Sequence, residues 1–180
     1  MTSPNEEKGE RPVVTLYTDG GCEPNPGAGG YAAVVVCGGQ TRELSGGFRQ
    51  TTNNRMELFA AIAGLESLAS PSRVTLVSDS KYVIDALAQG WAKRWRANGW
   101  RRTQKERAVN TDLWERLLAL CERHAVAFQW VKGHAGHEHN ERCDALAMSA
   151  LKQPDLPDDA GYAPREEPPP APSQLELGLY

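Results

Sequence analysis

The stretch that decides the fold is VVTLYTDGG, residues 13–21, in which an apolar run ends at Asp19 and two glycines follow. Its β-branched and aromatic residues are typical of a strand. A second run of the same kind, 74–78, ends at Asp79. Functional sites of open α/β sheets form beyond the carboxyl ends of the strands. If the two strands are parallel neighbours, the sequence predicts that their two carboxylates lie side by side.

The elements around these two runs alternate as in a mixed α/β domain. The Gly38-Gly39 dipeptide lies between two further strand-like runs and predicts a hairpin. Gly and Pro interrupt both regular structures in Gly20–Gly30, which predicts a loop. The remaining expected elements are strands at 31–37, 41–49 and 126–131, and helices at 52–68, 80–88, 90–97, 112–124 and 140–151. The order predicts an α/β fold with a mixed five-stranded sheet flanked by helices.

Length and composition favour one domain with short, disordered ends. The 180 residues are 40% hydrophobic, and no apolar run approaches the ~18 residues that span a membrane. The polar residues 1–11 predict a disordered lead without a signal segment. Residues 12–152 form the predicted domain, and the acidic, proline-rich residues 153–180 predict a disordered tail. Without a membrane-spanning run or a signal segment, the sequence favours a cytosolic protein. The four widely spaced cysteines include no CxxC pair and are expected to be free thiols in that reducing compartment.

The charge distribution keeps a nucleic-acid partner in consideration although the net charge is −3. Residues 153–180 carry six acids and one base, so the rest of the chain is slightly basic. A dense basic stretch interleaved with tryptophan lies at 91–107. Such a stretch offers a polyanion a surface to follow, although an amphipathic helix with a tryptophan core face gives the same pattern.

Four acidic residues occupy places that are awkward for an ionised carboxylate: Asp19, Glu57, Asp79 and Asp144. Each alone has a simpler interpretation. Asp19 fits a turn and Asp79 a helix N-cap. Glu57 fits a capping box, and Asp144 fits a solvated helix position. If the fold brings them together, two carboxylates at ~4 Å repel by roughly 4 kcal/mol at an effective dielectric near 20. A divalent metal relieves that repulsion and points to phosphoryl chemistry.

Two polar segments add candidate functional groups. Residues 51–55, TTNNR, begin a predicted helix, where free N–H groups suit a phosphate or a ribose hydroxyl as well as plain capping. The loop 133–139, GHAGHEH, offers a mobile histidine for proton transfer. With Cys143 this loop also suggests a zinc site, but no second pair of ligands accompanies it, and we favour proton transfer.

These segments together resemble type 1 ribonuclease H, the bacterial ribonuclease HI family. The resemblance extends over 13–151 and rests on YTDGGCEPNPGAGGYA (17–32), TTNNRMELFAAIAGLE (51–66), VSDSKYV (77–83), the tryptophan-rich basic stretch and WVKGHAGHEHNERCDALA (130–147). It implies an RNase H-like fold and an endonuclease that cuts the RNA strand of RNA–DNA hybrids, leaving 3′-hydroxyl and 5′-phosphate ends.

The resemblance also implies roles for individual residues. Asp19, Glu57, Asp79 and Asp144 would hold two Mg²⁺ ions, with Mn²⁺ as a substitute, and Asp19 would be shared between them. His134 would assist proton transfer or product release. The substrate-binding residues would be Cys22, Asn25, Thr52, Asn53 and Asn54 near the cut, Lys81, and the basic handle of Trp91, Lys93, Arg94, Trp95, Arg96, Trp100 and Arg101.

Two features depart from the family pattern. Lys81 stands where many relatives carry an amide. The chain ends in QLELGLY, residues 174–180, which we interpret as a short docking peptide for a replication partner such as a sliding clamp; an inert tail is the alternative. The sequence favours a monomer. Two rival functions remain, a non-catalytic hybrid-binding module and a DNA-acting nuclease of the same fold.

Overall fold

The computed structural model describes residues 10–163 and contains the predicted mixed five-stranded sheet, in the order β3-β2-β1-β4-β5. The strands are β1 (Val13–Cys22), β2 (Gly27–Cys37), β3 (Gln40–Thr51), β4 (Arg73–Ser78) and β5 (Ala125–Trp130). The helices are α1 (Asn53–Glu66), α2 (Lys81–Ala88), α3 (Trp91–Ala97), α4 (Thr111–Arg123) and α5 (Glu138–Ala150). Type and order of these elements match the sequence prediction.

The central strand β1 brings the two acid-terminated runs together. It is antiparallel to β2 and parallel to β4. The register pairs Thr18 with Ser78, so Asp19 and Asp79 occupy equivalent positions on neighbouring strands. The two strands are parallel neighbours, which is the condition under which their two carboxylates were expected to lie side by side.

The hairpin predicted at the glycine pair joins β2 to β3. Gly38 has φ +56° and Gly39 has φ +76°. Two successive positive φ values are required by a two-residue type I′ turn, which side chains other than Gly, Asn and Asp adopt poorly.

The loop predicted over Gly20–Gly30 is wrong at both ends, because β1 continues to Cys22 and β2 begins at Gly27. Gly20 pairs with Tyr31 and Gly21 pairs with Gly30 in the antiparallel ladder. A Cβ on Gly20 would collide with the α1 backbone at Met56, and one on Gly30 would collide with the α5 backbone at Ala147. These glycines therefore allow the helices to approach the sheet closely, which is a packing requirement.

Helices cover both faces of the sheet and alternate residues of β1 point to each. Val14 and Leu16 belong to the large core, together with Leu58 and Ile62 of α1 and the fully buried Trp114 of α4. The opposite face carries a smaller cluster of Ala32, Val34, Cys143 and Ala147, through which α5 packs. The end of β1 is thus enclosed between α1 and α5, which fixes the surroundings of Asp19.

The prediction of disorder from residue 153 onward is wrong for 153–163, which pack on the domain. The backbone N of Arg49 donates to O of Pro157 at 3.0 Å. Asp159 is 6% exposed and pairs with Arg55. Composition misled the prediction because a few anchored residues outweigh an unfavourable average. Residues 1–9 of the predicted lead, and 164–180 with the predicted docking peptide, lie outside the described residues.

In the described part of the chain, no helix combines the length and hydropathy needed to cross a bilayer.

Candidate active site

Three of the four predicted carboxylates converge where β1 and β4 meet α1. One ligand oxygen from each of Asp19, Glu57 and Asp79 lies within 4.8 Å of the other two. Asp19 comes from β1, Asp79 directly follows β4, and Glu57 comes from the second turn of α1. The close approach of Gly20 to the α1 backbone at Met56 and Glu57 allows this meeting.

Asp19 is the most enclosed of the three acids. It is 8% exposed, and its Oδ1 accepts a hydrogen bond from the backbone N of Gly20 at 2.8 Å. Burial first, and then the negative charges of Asp79 and Asp144, raise its pKa from 3.8 to about 7, although the hydrogen bond from Gly20 opposes this shift. An ionised Asp19 is therefore costly in the metal-free protein near neutral pH.

Glu57 carries a buried oxygen without a partner. The residue as a whole is partly exposed, but its Oε2 is enclosed and accepts no hydrogen bond among the described residues. Burial first, and then the charges of Asp19 and Asp79, raise the pKa of Glu57 well above its usual value. A buried, unpaired carboxylate oxygen beside two others is a ready ligand for a divalent cation.

Asp144 approaches the same cluster from α5. It is partly exposed and is not a member of the tight set of three, but its charge contributes to the raised pKa of Asp19. The structure therefore brings all four predicted acids to one region, three in mutual contact range and the fourth beside Asp19.

The simpler roles considered for two acids do not hold. The N-cap of α2 is Ser80, whose Oγ accepts from the backbone N of Val83, so Asp79 does not cap this helix. The N-cap of α1 is Thr52, whose hydroxyl accepts from the backbone N of Arg55. Asp79 and Glu57 are thereby free to face Asp19.

His134 lies on the exposed loop between β5 and α5. It has φ +54° and directly follows Gly133, where a Cβ would lie 2.5 Å from Oδ2 of Asp79. The backbone of this loop thus touches the carboxylate cluster while the imidazole is exposed. Cys143, the partner in the zinc alternative, is fully buried and its thiol donates to O of Tyr17 at 3.3 Å. That contact disfavours the zinc interpretation.

Four of the predicted substrate-contacting residues near the cut line a cleft at the start of α1, the helix that also carries Glu57. The cleft has a volume of about 890 Å³, and its lining includes Asn25, Thr52, Asn53 and Asn54. Oδ1 of Asn25 accepts from the backbone N of Asn53 at 3.2 Å, which ties the β1–β2 loop to the start of α1. Cys22 belongs to the same corner, since its thiol lies within 3.4 Å of O of Thr51.

The basic handle, residues 91–102, presents an exposed face and a core face. Trp91 is 40% exposed, whereas Trp95 packs edge to face against Trp114 with ring centroids 5.9 Å apart. Trp100 also packs on the core. The core interpretation is therefore confirmed for Trp95 and Trp100, and Trp91 is the tryptophan of the handle that faces outward.

The basic side chains of the handle divide in the same way. Lys93, Arg94, Arg101 and Arg102 are exposed. Arg96 instead contacts Glu122 and lies 3.5 Å from Glu115, both on α4. Its charge is largely compensated within the protein, so Arg96 differs from the other bases of the handle.

Trp130 is a site-proximal residue that the sequence analysis did not identify. Its Nε1 donates to the main-chain O of Asp79 at 2.9 Å, and its ring is 43% exposed. The Nζ of Lys81 lies 5.0 Å from the ring centroid, a cation–π arrangement. An exposed Trp at the end of a strand is a weak signal, and the sequence offered no means to pair it with Lys81.

Carboxylates that converge at the central strand of a mixed sheet, in a protein that also presents an exposed basic surface, are typical of a metal-dependent phosphodiester hydrolase. The family model described as RNase H matches residues 11–152, and the chain belongs to the ribonuclease H family. It is therefore a metal-dependent endoribonuclease.

Curated relatives agree over most of their length. The chain is 62% identical to the ribonuclease H of Desulforamulus reducens over 146 residues, 81% of this chain and 92% of that protein. It is 58% identical to the ribonuclease HI of Synechocystis sp. over 148 residues, again 81% of this chain and 92% of that protein.

Solved structures support the fold. LC9-RNase H1, a type 1 RNase H with the type 2 active-site motif, has a TM-score of 0.71 at 30% identity, covering 81% of this chain and 74% of that one. LC11-RNase H1, solved in complex with an RNA/DNA hybrid, has a TM-score of 0.60 at 25% identity, covering 77% of this chain and 96% of that one.

Proposed function

We propose that this protein hydrolyses the RNA strand of RNA–DNA hybrids at the carboxylate cluster, with two divalent ions, and leaves 5′-phosphate and 3′-hydroxyl ends. The observation that carries the proposal is the convergence of Asp19, Glu57 and Asp79 within 4.8 Å, in a region where burial disfavours the charges of Asp19 and Glu57. Three such groups are stabilised by cations and have little other reason to be together.

The donor set fits magnesium. Asp19, Glu57, Asp79 and Asp144 offer carboxylate oxygens, which hard cations prefer, and the enclosed Oε2 of Glu57 is an acceptor still to be satisfied. The charge of Asp19 interacts with those of Glu57, Asp79 and Asp144, and Asp19 is the residue that two ions would share. When bound, two Mg²⁺ ions, or Mn²⁺ in their place, supply activation of the attacking water and stabilisation of the departing 3′ oxygen.

The cleft at the start of α1 carries the groups that would distinguish RNA from DNA. The 2′-hydroxyl is the group that separates the two strands of a hybrid. Asn25, Asn53 and Asn54 supply amides at the cleft wall, and the Cys22 thiol lies within 3.4 Å of O of Thr51. Glu57 follows about one turn further along α1. Thr52, at the N-terminus of α1, is placed for a phosphate of the DNA strand.

Comparing substrates tests the proposal directly. Labelled RNA–DNA hybrid, double-stranded DNA and double-stranded RNA are incubated with Mg²⁺ or with EDTA, and product ends are determined. We expect cleavage of the RNA strand of the hybrid, and only in the samples that contain Mg²⁺. Hybrid binding without cleavage in either condition would establish the binding-module alternative, and cleavage of double-stranded DNA would establish the DNA-acting one.

Replacing His134 tests the proton-transfer role. We expect His134→Ala to lower kcat by about 100-fold, at the lower end of general acid–base effects, because the carboxylates remain in place. KM for the hybrid should change little, since the exposed imidazole adds little binding. His137→Ala, on the same exposed loop, is the matched control and should keep the parent kcat. Equal kcat values for the two variants would refute the assignment.

Neutralising the exposed bases of the handle tests its interaction with phosphates. We expect the triple change Arg94→Gln, Arg101→Gln and Arg102→Gln to weaken hybrid binding. The slope of log affinity against log salt should become shallower by about 0.9 for each duplex phosphate that the handle ceases to neutralise. Fluorescence anisotropy in EDTA, at several salt concentrations, measures both the affinity for the hybrid and its salt dependence. Arg116→Gln, an exposed base that pairs with Glu66, is the control. An unchanged slope in the triple variant would mean that the handle is a solvated face.

The proposed enzyme is a cytosolic monomer. The four cysteines are free thiols in the structure, as suits a reducing compartment. Docking of a replication partner through 174–180 stays a prediction, and deleting these residues while following partner pull-down tests it.

A further inference from the structure

Asp79 is held in place by the chain that joins β5 to α5. The indole of Trp130 donates to its main-chain O at 2.9 Å. The backbone N of Val131 donates to O of the preceding Ser78 at 3.0 Å. Gly133 packs so closely that a Cβ there would lie 2.5 Å from Oδ2 of Asp79. The β5–α5 corner therefore limits where this carboxylate can point.

Asn140 completes this enclosure. Its Nδ2 lies 3.4 Å from Oδ2 of Asp79, and the residue is 2% exposed. The distance is long for a hydrogen bond, but the charge of the acceptor strengthens it. An ionised carboxylate only accepts hydrogen bonds, so the amide nitrogen is the atom that must face it. The chemistry of the pair thus fixes the orientation of the amide.

The other end of the same amide is unsatisfied. Oδ1 of Asn140 is buried and has no hydrogen-bond partner among the described residues. An apolar side chain of similar size would avoid this cost, so the retention of an amide requires a compensating contact. The contact with Asp79 is the one that the amide nitrogen makes.

The position of Asn140 on α5 supports the same conclusion. Asn140 and Asp144 are four residues apart and share one helix face. Cys143 and Ala147 pack on the sheet beside them, which fixes the rotation of the helix. Asp144 acts on Asp19, whereas Asn140 contacts Asp79. One face of α5 therefore carries two side chains that interact with the carboxylate cluster, one with Asp19 and the other with Asp79.

We propose that Asn140 is a positioning residue that holds the carboxylate of Asp79 against Gly133, with its oxygens towards Asp19 and Glu57. Its consequence for cleavage rests on the proposed function, whereas the contact itself is a property of the metal-free protein. Partners that orient a ligand residue typically change metal affinity or activity by 10- to 100-fold when they are removed.

A double-mutant cycle in EDTA tests the contact without any activity. Asn140→Asp places a second carboxylate against Asp79 and should lower Tm strongly at neutral pH. In the Asp79→Asn background the same change should lower Tm much less. The amide nitrogen introduced at position 79 can then donate a hydrogen bond to the carboxylate introduced at position 140. Equal Tm decreases in the two backgrounds would show that the residues are uncoupled and would overturn the proposal.

Mg²⁺ titration tests the consequence. For Asn140→Ala, the Mg²⁺ concentration that gives half of the maximal Tm shift should rise at least about tenfold, with kcat lowered and KM for the hybrid near the parent value. Arg142→Gln, on the same helix but paired with Glu43 at the surface, should keep the parent midpoint. Equal midpoints for the two variants would overturn the proposal.

If Asn140→Ala does not fold, the double-mutant cycle alone decides whether Asn140 and Asp79 are coupled. Coupling in a protein without nuclease activity would refute the proposed function and leave this inference standing.

Discussion

Asp19→Asn is expected to abolish cleavage while hybrid binding persists. The charge of Asp19 interacts with those of Glu57, Asp79 and Asp144, and its replacement removes the ligand that two ions would share. Metal ions contribute several kcal/mol of charge stabilisation in the transition state. Each 1.36 kcal/mol is tenfold, so kcat should fall by at least about 1,000-fold. In EDTA the variant should bind hybrid at least as tightly as the parent, because one negative charge near the phosphates is gone.

The same change is expected to stabilise the metal-free protein. The folded-state pKa of Asp19 is raised from 3.8 to about 7, so the native fold favours the protonated form. The associated stability is complete below pH ~4 and is lost as the pH rises towards 7. The asparagine amide stays uncharged over this pH range, and its oxygen can still accept a hydrogen bond from the backbone N of Gly20. At pH 7 in EDTA, Asp19→Asn should raise the free energy of unfolding by about 2–4 kcal/mol, and the gain should vanish near pH 4.

Urea unfolding across this pH range measures the effect, and Asp155→Asn is the matched control. Asp155 is exposed on the segment that follows α5, so its neutralisation should change stability little at any pH. Retained cleavage in Asp19→Asn would show that the reaction is centred elsewhere. A stability gain that does not depend on pH would show that relief of charge is not its cause.

The carboxylate cluster was predictable because apolar runs and acids are both visible in the sequence. Val13–Thr18 and Val74–Ser78 read as buried strands, and an acid at the end of each is a local signal. The rule that sites form at the carboxyl ends of parallel strands then supplied the spatial step. The register of Thr18 with Ser78 confirms that step. What the rule could not supply is how closely Glu57 approaches, which depends on Gly20 against α1.

The incorrect predictions share a physical cause, which is that local composition does not report tertiary contacts. Glycines in 20–30 indicate turns by themselves, yet here they make room for α1 and α5. The proline- and acid-rich residues 153–163 indicate disorder by their average, yet Asp159 is buried against Arg55. Asn140 looks like any polar residue near the start of a helix, and its contact with Asp79 spans 61 positions of the chain. Only the folded arrangement reveals such pairs.

Arg55→Met is expected to be among the most destabilising single changes at the surface of contact between the domain and residues 153–163. The Arg55 side chain is 2% exposed and that of Asp159 is 1% exposed. The guanidinium donates to Asp159 from Nε at 2.6 Å and from Nη2 at 2.8 Å. Without it, Asp159 remains as a buried carboxylate with the Thr51 hydroxyl as its main partner. Breaking a buried pair from one side costs about 3–5 kcal/mol, which urea unfolding at pH 7 should detect.

Two further variants separate charge burial from the effect of packing. Arg142→Met breaks an exposed pair with Glu43 and should cost less than about 1 kcal/mol. The double change Arg55→Met with Asp159→Leu removes both buried charges and should recover much of the stability, because apolar replacement of a buried pair is often neutral. If Arg55→Met costs no more than Arg142→Met, residues 153–163 are not part of the cooperative domain. A double variant no more stable than Arg55→Met would instead attribute the destabilisation to the other contacts of Arg55, which include the ion pair with Asp112 at 2.8 Å.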